Sequence, residues 1–96
     1  MVIGVLRLGI QIPENHSLKG KRAALRPLLN ALAKEFGVSV AEVDHQDLWQ
    51  RAEIGISVVS GDKRHANRVL SAVLDRAGAW RGEAMLTTTS MEFIEL

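Results

Sequence analysis

The segment Ser17-Leu18-Lys19-Gly20-Lys21-Arg22, with Arg26 one turn further on, gathers basic side chains where a helix is about to begin. Ser17 reads as the N-cap, its hydroxyl placed to accept a bond from one of the free backbone N–H groups of the first turn. A helix N-terminus already carries partial positive charge and favours acidic neighbours, so each exposed cation here costs roughly a few tenths of a kcal/mol. One chemistry explains such an arrangement: backbone N–H groups and cations converging on a phosphate or another anion. The alternative is a solvated helix face whose lysine stems cover apolar surface. A second basic group, Lys63, Arg64 and Arg68, opens a later helix, where Arg64 and Arg68 share a face. If both helices lie on one side of a sheet, the two groups could form a single stripe. The candidate anion set is therefore Ser17, Lys19, Lys21, Arg22, Arg26, Arg64 and Arg68, again with solvated surface as the alternative.

Other chemistries find little support. His16, His45 and His65 stand far apart and show no metal-ligand spacing. Asp44-His45-Gln46-Asp47 has the composition of an acid–base cluster, but it lies in a polar connector without a nucleophile and reads as a hydrogen-bonded turn. There is no cysteine, which removes disulfides, thiolate nucleophiles and thiolate metal sites. No catalytic residue, metal ligand or cofactor is assigned, and the sequence points away from an enzyme.

The elements that would position the basic groups follow from periodicity. Residues 2–12 alternate, with Leu6, Leu8, Ile10 and Ile12 on one face and Ile3, Val5, Arg7, Gly9 and Gln11 on the other, as a strand requires. Pro13-Glu14-Asn15-His16 ends it. Leu18, Leu25, Leu28, Leu29, Leu32, Ala33 and Phe36 recur at helical spacing, and Gly37 closes that helix as a residue free to adopt positive φ. Pro27 sits inside it and predicts a kink or a partly 3₁₀ first turn. Residues 38–44 read as a second strand and 45–52 as a turn or wide loop. Ile54, Ile56 and Val58 mark a third strand. Ser60-Gly61-Asp62 opens a second helix with the stripe Ala66, Val69, Leu70, Val73, Leu74 and Ala77, closed by Gly78. Residues 83–95 form a fourth strand. The order βαββαβ predicts a single α+β domain over residues 1–96, a ferredoxin-like sandwich with two helices on one face of a four-stranded antiparallel sheet. Right-handed crossovers put the first and third strands in the centre.

The other face of such a sheet would expose Ile3, Val5, Arg7, Gly9 and Gln11 beside Glu53, Gly55, Ser57 and Val59. RNA-recognition domains of this topology stack bases on aromatics at these positions, and none is aromatic here. What remains is a mildly apolar surface of the kind that meets another subunit. Ile3, Val5 and Val59 are interface candidates. Trp49 and Trp80 are candidates for its rim or, alternatively, for caps on the ends of the core.

Composition sets the outer limits. Twelve basic and eleven acidic side chains in 96 residues leave a net charge of +1, so an electrostatic partner must be recognised by a local patch. The apolar start Met1–Leu6 lacks a basic leader and is interrupted by Arg7, and no apolar run approaches the ~20 residues of a membrane span. A soluble cytoplasmic protein without membrane contact is expected.

The chain resembles the YlxP-like family of small bacterial proteins, a domain of unknown function. The residues that carry the likeness are Ser17-Leu18-Lys19 with Lys21-Arg22, Phe36-Gly37-Val38-Ser39-Val40-Ala41-Glu42-Val43, His45-Gln46-Asp47-Leu48-Trp49-Gln50-Arg51-Ala52 and Val59-Ser60-Gly61-Asp62. The likeness covers nearly the whole chain. It implies no established activity, but genes of the family often adjoin those for translation initiation and ribosome-binding factors, which implies a role linked to RNA or the ribosome. Gly20 departs from the charged residue more usual in the family, and would let a ligand approach the backbone. Three uses of the fold compete: a non-enzymatic module binding structured RNA or a ribosomal surface from the helical side; a homodimeric interaction module using the open sheet face or an edge; and a phosphohydrolase similar to the acylphosphatases. The third rests on a partial likeness of Pro13-Glu14-Asn15-His16-Ser17 to their anion loop and lacks its glycine cradle.

Overall fold

The computed structural model describes residues 1–96 and gives β1 (Val2–Gln11), α1 (Leu18–Phe36), β2 (Ser39–Asp44), β3 (Arg51–Ser60), α2 (Lys63–Gly78) and β4 (Met85–Glu95). The sheet order is β2-β3-β1-β4 with every neighbour antiparallel, the ferredoxin-like arrangement expected from the sequence. β3 starts at Arg51, earlier than its apolar alternation indicates, because β1 pairs along its whole length, from Val2 opposite Ser60 to Gln11 opposite Arg51.

The core lies between sheet and helices. Leu6, Leu8, Ile10 and Ile12 from β1 and its end, with Ala52, Ile54 and Ile56 from β3, meet Leu25, Leu28 and Leu32 of α1 and Leu70, Val73 and Ala77 of α2. Both helices start as their sequences indicate. Ser17 Oγ accepts from Gly20 N at 2.9 Å, and Asp62 Oδ1 accepts from His65 N at 2.8 Å. Gly37 ends α1 in the left-handed conformation (φ 63°), donating its N–H to Ala33 O at 3.0 Å.

Topology decides where the basic groups can be. β1 and β3 run in opposite directions, and each is followed by a helix that returns along the sheet. Thus α1 starts at the end where Gln11 pairs with Arg51, and α2 starts at the end where Val2 pairs with Ser60. The basic residues of the two N-termini lie at opposite ends of the helical layer. The single stripe is not formed.

The 3₁₀ turn expected as one outcome of Pro27 is absent, since α1 is α-helical without interruption from Leu18 to Phe36. Leu25, Leu28 and Leu32 are buried on both sides of Pro27, and this packed stripe holds the helix through the position where one backbone bond is missing. Pro27 itself is exposed. Pro27→Ala should therefore restore that bond without disturbing the core. An interior proline costs about 3 kcal/mol against alanine, and part of this is offset by the stiffer unfolded chain. We expect urea unfolding to show a stability gain of roughly 1–2 kcal/mol with an unchanged m-value.

Candidate functional site

Lys19, Arg22 and Arg26 are exposed on one face of α1 and take part in no ion pair. With Ala23, Pro27 and Asn30 they line a shallow depression of about 510 Å³. These positions recur at three- and four-residue steps, so they form a continuous strip along the helix. The only acidic residue of α1 is Glu35, in its last turn, where it is held by Arg76 through Nε at 3.1 Å and Nη2 at 3.3 Å. Within α1 the strip therefore has no acid along the first two-thirds of the helix, and Glu42 of β2, which lines a recess with Arg22 and Arg26, is paired with Lys21.

Lys21 does not belong to this strip, contrary to its place in the candidate anion set. It falls on the apolar stripe with Ala24, Leu25 and Leu28, and its side chain is 3% exposed. Its ammonium lies 2.7 Å from Glu42 Oε2 and donates to His45 O at 2.7 Å. Glu42 Oε2 is buried and has no other partner. Burial of an ammonium is tolerable only with such compensation, so Lys21 is a structural tie between α1 and β2 and no free phosphate ligand. Ser17 is likewise engaged as the cap of α1. Arg64 and Arg68 are exposed, but stand at the other end of the molecule from Lys19. Lys63 lies over the Phe93 ring, 5.4 Å from its centre.

The space opened by Gly20 is filled from within the chain. A Cβ there would collide with Asn15 Oδ1, so the glycine admits the Asn15 side chain rather than a ligand. Asn15 Nδ2 donates to Ser17 O at 2.8 Å and also to Trp49 O, joining the start of α1 to the β2–β3 loop. That loop is tied further by Ile12 N to Gln50 O at 2.8 Å, Gln50 Nε2 to Asn15 O at 3.1 Å and Leu48 N to His45 O at 3.0 Å. Asn15 and Ser17 of the Pro13–Ser17 segment are thus engaged within the chain, while Glu14 and His16 are exposed.

On the open sheet face, Ile3 sits between Val59 and Ile94 on its two neighbouring strands, and Val5 between Ser57 and Glu92. Val59 and Ile94 are exposed, Ile3 and Val5 half-buried. The two tryptophans are not part of this face. Trp80 packs against the core with the Arg76 guanidinium 5.1 Å from its ring centre, so it is a cap on the helical side. Trp49 projects from the β2–β3 loop and is 50% exposed.

The pairing of β2 with β3 also brings Glu53 to Asp44 and His45, so that one ligand atom from each lies within 4.8 Å of the others. The sequence spacing hides this group because Glu53 arrives on another strand. Three such donors suit a divalent ion, yet Glu53 is bonded to Arg7 at 3.1 Å and Arg51 lines the same recess. Those cations oppose a metal.

The family described as "Protein of unknown function (DUF503)" matches residues 3–91. The chain belongs to that family. It is 37% identical over 73 residues to "Uncharacterized protein YlxP" of Bacillus subtilis (strain 168), which covers 76% of this chain and 79% of the relative. The match spans the Ser17–Arg22 and His45–Ala52 segments, which meet at the Asn15–Lys21–His45 junction described above. No helix is long and apolar enough to cross a membrane.

Lys21→Met removes the ammonium and leaves the buried oxygen of Glu42 without a partner. Breaking a fully buried pair costs about 3–5 kcal/mol; with Glu42 26% exposed, we expect roughly 2 kcal/mol by chemical denaturation. The double variant Lys21→Met/Glu42→Leu should recover most of that loss.

Proposed function

We propose that this chain is a non-enzymatic cytoplasmic module that grips the phosphate backbone of structured RNA, such as ribosomal RNA, through Lys19, Arg22 and Arg26 of α1. The observation that carries this reading is the strip of unpaired cations on a helix face without an acidic partner. An isolated surface cation says little, but three on one face act together on an extended polyanion and release its counterions. Arg64 and Arg68 then serve as a second contact at the far end of the helical layer, a distance comparable to the roughly 28 Å length of α1. Phosphate contacts position the RNA without reading its sequence.

Filter binding of a ribosomal RNA fragment across a salt series tests this directly. Binding should weaken steeply with salt, and Lys19→Gln/Arg22→Gln/Arg26→Gln should reduce the log–log slope by about 2–3. No binding by the unsubstituted protein at low salt would overturn the reading.

A second reading uses the opposite face. The row Ile94–Ile3–Val59 crosses three strands and favours a homodimer formed by packing two sheets. Light scattering should then give twice the chain mass, and Val59→Asp should return the monomer. A strictly monomeric unsubstituted protein at high concentration removes this reading.

A further inference from the structure

A second recess lies at the end of the molecule where α1 begins, with Gln11 and Arg51 of the open sheet face in its lining. Gln11, Asp47, Leu48, Trp49, Gln50 and Arg51 line about 410 Å³ beside the β2–β3 loop. The chain has two tryptophans, two phenylalanines and no tyrosine. Phe36, Trp80 and Phe93 all pack against the core, which leaves Trp49 as the aromatic turned to solvent. Leu48 beside it is also exposed.

This exposure is not that of a loose loop. The carbonyls of His45, Trp49 and Gln50 are each held, by Leu48 N and Lys21 Nζ, by Asn15 Nδ2, and by Ile12 N respectively. The backbone is fixed while its apolar side chains point outward, so little ordering remains to be done when something binds. Asn15 also bonds Ser17 O, which fastens this loop to the start of the basic helix.

The lining narrows the occupant. The recess brings an indole ring together with two side-chain amides, a carboxylate and a guanidinium that is in no ion pair. Gln50 Nε2 is bonded to Asn15 O, which leaves its carbonyl oxygen as an acceptor. An aliphatic peptide side chain would leave these polar groups unmatched. A planar heteroaromatic with donors and acceptors on its edge, attached to an anion, matches all of them.

We propose that Trp49 is the stacking platform for one unpaired nucleobase of a bound RNA, with Gln11, Asp47 and Gln50 at the base edge and Arg51 on its phosphate. The inference rests on the phosphate-binding reading of α1 and deepens it: the substrate is RNA with a single-stranded loop or bulge beside a helix, since a base inside a duplex offers no free face. Single-stranded loops are where proteins reach base edges in RNA.

The test compares an RNA hairpin carrying an unpaired loop with a fully paired duplex of equal length, at one salt concentration, by fluorescence anisotropy and by quenching of tryptophan emission. Trp49→Ala should weaken binding of the looped RNA roughly ten- to a hundredfold and leave the duplex unchanged, while Trp49→Phe keeps most of the affinity. Quenching by the looped RNA should vanish in Trp49→Ala, where Trp80 alone remains. Circular dichroism should show both variants folded, because the loop is tied through its backbone. If Trp49→Ala matches the unsubstituted protein on both RNAs while Lys19→Gln/Arg22→Gln/Arg26→Gln binds weakly, base stacking is overturned and the phosphate strip stands. The reverse pattern keeps the stacking platform and overturns the strip. Failure of the unsubstituted protein to bind either RNA overturns both, and leaves the recess to a protein partner.

Discussion

The buried ammonium of Lys21 is the interaction on which one end of this molecule depends. β2 is the shortest strand, six residues long, and has a single hydrogen-bonded neighbour in the sheet. An edge strand so short gains little from its ladder and needs support from the layer above it. Lys21 supplies that support from α1 by pairing with Glu42 within the strand and with the carbonyl of His45 just past its end. His45 adopts positive φ (63°), a conformation costly for a residue with a Cβ. It is held there by its own N–H to Asp44 Oδ1 at 2.7 Å and by the two donors on its carbonyl. The turn direction that follows carries Trp49 and Gln50 back toward Asn15. One charge pair thus sets strand, turn and loop in sequence.

Periodicity made most of the fold legible, and the same rule applied strictly also exposes Lys21. Ala24, Leu25, Leu28 and Leu32 define the buried stripe of α1, and Lys21 lies three and four residues before the first two. Val38, Val40 and Glu42 alternate toward the helices in the same way on the partner element. An unmatched base on one inner face and an unmatched acid on the other are readable as a pair. Charge type drew Lys21 into the surface group, where its spacing did not belong. The separation of Arg64 and Arg68 from Lys19 was equally implicit, because helices that follow antiparallel strands must start at opposite ends. What no spacing could reveal was the Asn15 junction. It joins residues 34 apart through a side-chain amide and needs the gap at Gly20, which only the folded chain places beside it.

The near-zero net charge conceals a strong segregation. Glu53 and Glu92 lie on the open sheet face around Arg7, while the exposed strip of α1 has no acid. Glu35, the one carboxylate within α1, is held by Arg76 at the far end of the helix through a two-bond contact, and the same guanidinium lies over Trp80. Such a pair, more than a third exposed on both sides, adds little stability. Its consequence is electrostatic: the one acid of α1 is neutralised at the end of the helix away from Lys19 and Arg22.

The two surfaces left unpartnered do not compete, because they lie on opposite layers of the sandwich. Sheets joined at Ile3, Val59 and Ile94 would bury the apolar row and leave both α1 strips facing outward. The Trp49 recess, lined by Gln11 and Arg51 at the loop end of the open sheet face, lies at the opposite end of the strands from the row Ile94–Ile3–Val59. A dimer of this form would hold two RNA segments on opposite sides, and the second would bind at the high local concentration set by the first if both belong to one folded RNA. Weak contacts from three cations and one ring per domain would then suffice for firm attachment to a large, folded polyanion while leaving short oligonucleotides only loosely held.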